Sequence, residues 1–409
     1  MIDFELSTPA RAIQGMTRQF ALGSIRPHAR QADTDGEMPE SVIKNLAAIG
    51  MGGGSMPAGS KGEKEAGADS KPRENNLVAC IGAENMAFGD PAVVMNIPGP
   101  GLAAPAINAM GTEEQKERWL GIFDIKDGQL RYGAYAYTEA HFGSDTSQIA
   151  TTAKRDGDEW ILNGHKIFCT NGARADIVVV FATIDKSMGR EGIKAFVVEK
   201  GTPGFTVGKI EEKLGIKASE TAELVLDDVR VPMDHLLGGE DALKPAVKAG
   251  FVGAMKTFDS SRPMVAALGL GIGQAAFEYV TDWVAREMPS GYPFRKRTDV
   301  ALTLADMERE LKASRYMVWK SAWMADRGIP NTKEASMAKA YAPKAAYDVC
   351  AKAVEIMGPE GYSKEHLVEK WYRDIKIYDI FEGTGQIQRV VISRRIMGYL
   401  DKEDPAKIN

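Results

Sequence analysis

The feature that most restricts the fold is a change of texture at two points along the chain. From about Arg131 to Gly239 the sequence breaks into short runs rich in β-branched residues: Asp176–Ile184 (DIVVVFATI), Lys194–Gly201 (KAFVVEKG) and Ala222–Pro232 (AELVLDDVRVP). Gly, Pro and Asp punctuate them, and no helix-length pattern alternates with them, which predicts an antiparallel sheet domain and argues against a doubly wound parallel sheet. On either side the periodicity is helical. Upstream, Ser7 is placed to cap a first helix, Pro39–Ile49 carries apolar residues at helical spacing, and Thr112 with Gln115 forms a capping-box pattern. Between them Gly52–Asn76, rich in Gly, Ser, Lys and Glu, reads as a long solvated loop. Downstream, Ala242–Glu287, Asp299–Asp326, Thr332–Met357, His366–Ile380 and Gly385–Leu400 predict long amphipathic helices joined by short connections, a bundle. The expected class is α+β: an N-terminal helical domain over 1–130, a middle antiparallel β domain (barrel or sandwich) over 131–240, and a C-terminal four-helix-bundle-type domain over 241–409.

Composition narrows the function. Of 409 residues 26% are charged, with a formal net charge of -5, so no basic surplus exists to neutralise nucleic-acid phosphates. The three cysteines, Cys80, Cys169 and Cys350, are far apart and form no C-x-x-C pair, which points to reduced thiols. Five histidines without H-x-x-H or H-E-x-x-H spacing give no zinc signature. The first residues lack an apolar leader and no run of eighteen apolar residues occurs, so a cytoplasmic protein without a membrane partner is expected.

Three segments carry candidate chemistry. Tyr137–Asp145 (YTEAHFGSD) is polar and flexible at Thr138, Gly143, Ser144 and Asp145, with backbone N–H groups available to an anionic or heteroaromatic ligand. Asn163–Gly172 (NGHKIFCTNG) puts Phe168 and Thr170 two apart on a strand, on one face, an aromatic cover beside a hydrogen-bonding hydroxyl. Arg373–Arg389 (RDIKIYDIFEGTGQIQR) places Glu382 on a turn between two helices, where glycines flank Thr384 and a carboxylate is a natural base. Each alone also fits an ordinary surface turn, a half-buried strand or a solvated loop. Asp90 before Pro91 is a standard helix cap, with contact to a ligand as the alternative. Gly269, Gly271 and Gly273 (LGLGIGQ) lack the spacing and preceding strand of a dinucleotide loop, and read as close helix packing.

In order and separation, TE-x-x-x-GSD, LNGHKIFCTNG, LGIKASETAELVLDDVRVP, FDSSRP and RDIKIYDIFEGTGQIQR resemble the acyl-CoA dehydrogenase family across nearly the whole chain. The resemblance implies FAD at the junction of the β domain and the bundle. It implies that Tyr135 to Ser144, including Tyr137, Thr138 and Gly143, run along the flavin. Phe168, Cys169 and Thr170 form its second strand, with Phe168 over the ring and Thr170 bonded to flavin N5. Thr384 and Gln386 are implied as further FAD contacts, and Ser144, Asp259, Arg262, Gly383 and Asp90 as substrate contacts. Glu382 matches the base of one large subgroup. A second subgroup carries its glutamate where this chain has Ser261, which leaves Glu382 as the one base candidate. The implied reaction is α,β-dehydrogenation of an acyl-CoA thioester by a homotetramer that passes electrons to electron-transferring flavoprotein. A related flavin oxidase or monooxygenase, or a catalytically silent partner subunit, is the alternative.

Several positions depart from the pattern. Ala140, His141 and Phe142 replace small residues in the first motif, His141 being read as a solvated loop histidine. The arginine that relatives lend to a neighbouring subunit's FAD has Arg286 as its nearest match, with Arg295 and Arg297 as rivals, and Glu355 and Pro359 replace the usual Gln and Gly. Gly89 and Asp90 stand where dicarboxylate-handling members carry arginine, which disfavours a carboxylate-tailed substrate.

Overall fold

The computed structural model describes residues 5–48, 74–124, 129–244, 249–286 and 298–398; most of the Gly52–Asn76 stretch, with Arg295 and Arg297, lies outside them. The first region is helical: α1 (Thr8–Phe20), α2 (Ala29–Asp35), α3 (Glu40–Ala48), α4 (Asn75–Gly89), α5 (Pro91–Met95), α6 (Ala103–Met110) and α7 (Glu113–Gly121). Its starts are those the capping chemistry predicts. Ser7 accepts from the Ala10 N–H, and Thr112 and Gln115 exchange both bonds of a capping box, at 3.3 and 3.0 Å. The last region holds α8 (Ala249–Arg286), α9 (Thr298–Asp326), α10 (Thr332–Met357), α11 (Pro359–Tyr362), α12 (Val368–Asp374), a 3-10 turn over Ile375–Asp379 and α13 (Gly385–Ile396).

One apolar core joins α1, α3 and α4 to α8, α9 and α10. Helix α4 is buried on every side from Cys80 to Gly89, as expected of a helix without a polar stripe. The Ser261–Arg286 stretch of α8 has the length of a membrane span and, in its most apolar 18-residue window, a mean hydropathy of 1.2, yet 67% of that window is buried against its neighbours. The glycines of LGLGIGQ serve that packing. A Cβ at Gly271 would fall 2.0 Å from the Glu84 carbonyl oxygen, and one at Gly273 would fall 2.9 Å from the Ala346 Cβ.

Between the helical regions runs a curled seven-stranded sheet: β1 (Gly133–Ala136), β2 (Thr152–Asp156), β3 (Glu159–Thr170), β4 (Ile177–Thr183), β5 (Ile193–Glu199), β6 (Phe205–Ile210) and β7 (Thr221–Pro232). The pairs β2–β3, β3–β7, β6–β7 and β4–β5 are antiparallel, but β1 and β2 both run parallel to β4, so the sheet is mixed, not wholly antiparallel. The reason is topological. Strand β5 takes one edge of β4 along its whole length, while β1 meets the other edge at Ile177–Val180 and β2 meets β4 at Thr183. The segment Tyr137–Thr151 is thus an excursion between two strands that run alongside β4 in the same direction. Strand β4 is buried on both faces, which explains its unbroken apolar run. Val178, Val180 and Ala182 pack with Trp160, Phe196 and Leu224, while Ile177, Val179 and Phe181 pack with Ile107 and Trp119 of α6 and α7.

A buried charged seam locks the three regions together. Lys370 lies between Asp90 at 2.7 Å and Asp374 at 2.5 Å, and the second oxygen of Asp374 accepts the Ile216 N–H of the segment between β6 and β7 at 2.5 Å. Beside it Arg373 binds Asp33 at 2.6 Å and donates to the Leu214 carbonyl at 3.0 Å.

The helix packing is open to a direct check. Gly271→Ala inserts a methyl into backbone, which cannot rotate away, and should lower unfolding free energy by about 1–3 kcal/mol in denaturant titration. Wild-type stability in that variant would mean α4 and α8 do not touch there.

Candidate functional site

The site is built around one turn. After the 3-10 segment, Ile380 and Phe381 both donate to the Ile377 carbonyl, and the backbone then passes through two left-handed residues, Glu382 at φ 54° and Gly383 at φ 88°. Glycine takes that region freely, but a side-chain-bearing residue there costs on the order of 1–3 kcal/mol and persists only when its surroundings impose it. Those surroundings are visible. Thr384 caps α13, its hydroxyl oxygen accepting the Ile387 N–H at 3.2 Å. The fully buried Gln388 amide donates to the carbonyls of Glu382 and Gly383 at 3.3 and 3.0 Å, and the Lys339 ammonium donates to the Gly383 carbonyl at 3.2 Å. A Cβ at Gly385 would fall 2.4 Å from the Asp379 Oδ1, so any larger residue there has to displace that carboxylate.

The Glu382 carboxylate accepts a short hydrogen bond from the Ser261 hydroxyl of α8. Burial pushes its pKa above the usual carboxylate value, against the pull of Ser261, Lys339 and Arg262. Arg262 is buried on the same helix and reaches Ser336 at 3.5 Å. Burial lowers Lys339 to about 8, opposed by Glu382 and Asp379 and assisted by Arg262. A carboxylate that is half-buried, raised in pKa and next to a hydroxyl is a proton acceptor of useful strength.

On the sheet side, the first two motifs are stitched to each other. The Ile167 N–H donates to the Thr138 carbonyl at 2.9 Å, and Phe142 closes a turn on Glu139 at 3.0 Å. Glu139 is buried and accepts the N–H groups of Ala150 and Thr151 at 2.6 and 3.0 Å, the Thr151 hydroxyl at 2.6 Å and the Lys166 ammonium at 2.7 Å. Burial opposes its charge, yet Lys166 and these bonds hold its pKa below the usual value. Its contribution to stability is therefore present at neutral pH and lost as pH falls through that depressed value. Gly143 and Ser144 stay exposed on this excursion.

Phe168 sits at φ 56° where the β3–β7 register slips between Lys166 and Cys169, and 58% of it is exposed, while Thr170 is half-buried nearby on the strand. The bulge re-aims the Phe168 ring outward, where it is accessible to a flat ligand. Tyr135, half-buried on β1, has its hydroxyl pKa raised chiefly by burial, with Tyr137 and Glu382 adding to it, which places the sheet's edge within electrostatic reach of the turn. The exposed ring, the hydroxyl and the open excursion fit an isoalloxazine-bearing cofactor.

Other expected contacts fall elsewhere. The Tyr137 ring is 2% exposed and packs on Phe181 at 4.6 Å, and the Cys169 thiol is buried with its pKa pushed up to about 12, so only their backbones are left to meet a ligand. Asp90 is fully buried, caps α5 through the Ala92 N–H at 2.8 Å and pairs with Lys370, so the helix-cap reading holds and its side chain does not reach an acyl tail. Gln386 is exposed in the first turn of α13, and Arg286 is exposed at the end of α8, paired with Asp282 at 3.3 Å. The Asp259 side chain lies outside the described residues. Sequence reasoning passed over Glu139, Lys166, Lys339 and Gln388. The available signal was a charged or amide side chain set among apolar strand or helix positions, as Lys339 is among Ala335, Ala338 and Ala342.

Comparison with known proteins agrees with this geometry. Residues 7–122, 134–229 and 248–397 match the acyl-CoA dehydrogenase N-terminal, middle and C-terminal domains. The short-chain specific acyl-CoA dehydrogenase of Clostridium acetobutylicum is 37% identical over 97% of this chain and 100% of its own length. Butyryl-CoA dehydrogenase of Megasphaera elsdenii superposes with a TM-score of 0.85 at 36% identity, covering 97% of this chain and 100% of that one. A chain solved in work on the electron transferring flavoprotein of Acidaminococcus fermentans matches with the same score, identity and coverage. The chain belongs to the acyl-CoA dehydrogenase family, and FAD is its cofactor.

The buried pair under the first motif is testable. Lys166→Met strands the Glu139 carboxylate and should lower stability by about 3–5 kcal/mol, read as melting temperature, together with the FAD content of the purified protein. A variant that melts with the wild type would show that the pair does not hold the motif.

Proposed function

We propose that the protein oxidises a short, uncharged acyl-CoA at its α,β carbons with Glu382 as the base that takes the α-proton. The observation that carries this is the half-buried Glu382 carboxylate, raised in pKa and fixed on a left-handed turn opposite Ser261. An α-proton beside a thioester is weakly acidic, so the base must be strong for a carboxylate and already oriented. Burial supplies the strength; Ser261, Lys339 and Arg262 oppose it by favouring the proton-free form. Bound FAD supplies the acceptor for the β-hydride. Phe168, Thr170, Thr384, Gln386 and the backbone of Tyr135–Ser144 would hold that cofactor, and Ser144, Arg262 and Gly383 would line the thioester's path.

Short chain length rests on the names of the relatives, and an uncharged tail on Gly89 and Asp90 standing where the resemblance implies an arginine in dicarboxylate-handling members. Electron-transferring flavoprotein as acceptor, a homotetramer, Arg286 as a contact to a neighbouring subunit's FAD, and a cytoplasmic site of action complete the reading.

Glu382→Gln should retain FAD but lose roughly 10²–10⁴-fold in the rate of flavin bleaching by butyryl-CoA under anaerobic conditions. Surviving turnover would end the assignment. In the wild type, kcat/KM should fall on the acid side as Glu382 is protonated, with a midpoint above the ordinary 4.5 because its pKa is raised. Phe168→Ala should leave the stability of the FAD-free protein within about 0.5 kcal/mol, since an exposed ring contributes little to packing, while weakening FAD retention. Equal FAD retention would show that the ring does not face the cofactor.

A further inference from the structure

Two buried polar side chains, Lys339 and Gln388, stand directly behind the turn. Lys339 lies within α10 with none of its surface exposed, flanked by Ala335, Ala338 and Ala342. A lysine in an alanine-lined helix face is expensive to bury unless its charge and donors are used. Gln388 is equally buried, one turn into α13. Gln388 donates to the carbonyls of both Glu382 and Gly383, and Lys339 donates to that of Gly383.

We propose that Lys339 and Gln388 are positioning residues, a clamp that holds the Glu382 and Gly383 carbonyls inward and thereby fixes the left-handed backbone from which the base projects. The inference rests on Glu382 being that base. In a trans peptide the carbonyl and the following N–H point in opposite directions. With both carbonyls drawn toward the clamp, the N–H groups of Gly383 and Thr384 must face the other way. The clamp thus sets the peptide planes on which the carboxylate is mounted. It replaces the favourable backbone that a side-chain-bearing residue gives up at φ 54°.

Lys339 has a second effect that Gln388, being neutral, lacks. The groups around Lys339 are Glu382 on the turn, Asp379 on the 3-10 segment and Arg262 on α8. Those around Glu382 are Ser261 and Arg262 on α8 and Lys339 on α10, and it is in turn sensed by Tyr135 of β1 and Tyr378 of the 3-10 segment. A nearby ammonium favours the carboxylate, so removing it raises the pKa of Glu382. The clamp residues therefore separate by sign: both hold geometry, and one also tunes proton affinity.

The test uses the holoenzyme with Lys339→Met, Lys339→Arg and Gln388→Leu. Three readouts are taken: hydrogen exchange of the segment 380–389, the pH midpoint of the Glu382 carboxyl band (infrared difference between each protein and its Glu382→Gln partner), and anaerobic flavin reduction by butyryl-CoA. Lys339→Met and Gln388→Leu should both speed exchange in the turn and slow reduction roughly 10- to 100-fold, with substrate Kd nearly unchanged. Only Lys339→Met should move the midpoint upward, and Lys339→Arg should restore it. Should Lys339→Met fail to retain FAD, Lys339→Gln carries the same comparison. Wild-type exchange together with an unmoved midpoint in these variants overturns the clamp. If Glu382→Gln itself keeps turnover, the base assignment fails; if that variant is inactive while the clamp variants match the wild type, the clamp alone fails.

Discussion

The interaction on which the site's placement depends is the buried ammonium of Lys370 between Asp90 and Asp374. Asp90 comes from the helical region before the sheet, Asp374 from the end of α12, and the free oxygen of Asp374 takes the Ile216 N–H from the sheet domain. Arg373 repeats the pattern with Asp33 and the Leu214 carbonyl. Taking three charges out of water is costly, and a buried triad is weak evidence for net stability. What it does supply is uniqueness of arrangement, because any shift of one region leaves a charge unpaired in the interior. The polypeptide that leaves Asp374 enters the 3-10 segment and then the turn bearing Glu382. Glu382 is therefore registered against the sheet and both helical regions before any ligand arrives.

The same logic recurs at smaller scale. Glu139 and Lys166 fasten the excursion between β1 and β2 to β3, and Lys339 and Gln388 fasten the turn to α10 and α13. In each case a strained or irregular stretch of backbone carries the surface that faces a ligand, while a buried polar contact a short distance behind it holds the shape. Phe168 and Glu382 both lie in the left-handed region, one on each side of the site. Their side chains are aimed by backbone geometry that ordinary strand or helix continuation would not produce.

These devices also mark what was legible in the sequence. Caps were legible, because the chemistry of Ser7, Thr112 with Gln115, and Asp90 before Pro91 is local. So were the limits of α10 and the doubly buried β4, since each follows from the pattern of its own residues. The family resemblance rested on five ordered motifs and brought Glu382, Phe168 and Thr170 forward together. What local patterns do not encode is pairing at a distance. The parallel contact of β1 with β4 depends on which edge β5 leaves free. The 3-10 segment that replaces the predicted end of the His366–Ile380 helix depends on docking of the turn. Gln388 and Lys339 gain their meaning only when α10 and α13 meet, and Tyr137 and Cys169 lose theirs once the sheet curls and buries their side chains.

The contact between Ser261 and Glu382 bears on the two base positions that the family resemblance implies, one on each of these elements. The Ser261 hydroxyl reaches the Glu382 carboxylate directly, so positions 261 and 382, on α8 and on the turn, converge on one small volume. A carboxylate mounted on either element would reach the same point in space. Carboxylates on both would face each other at hydrogen-bond distance, and one would be forced to hold a proton at neutral pH. A serine opposite the glutamate avoids that conflict and donates to the charged form instead. With Glu382 as the proposed base, Ser261 supplies a hydroxyl donor where a second carboxylate would conflict with it.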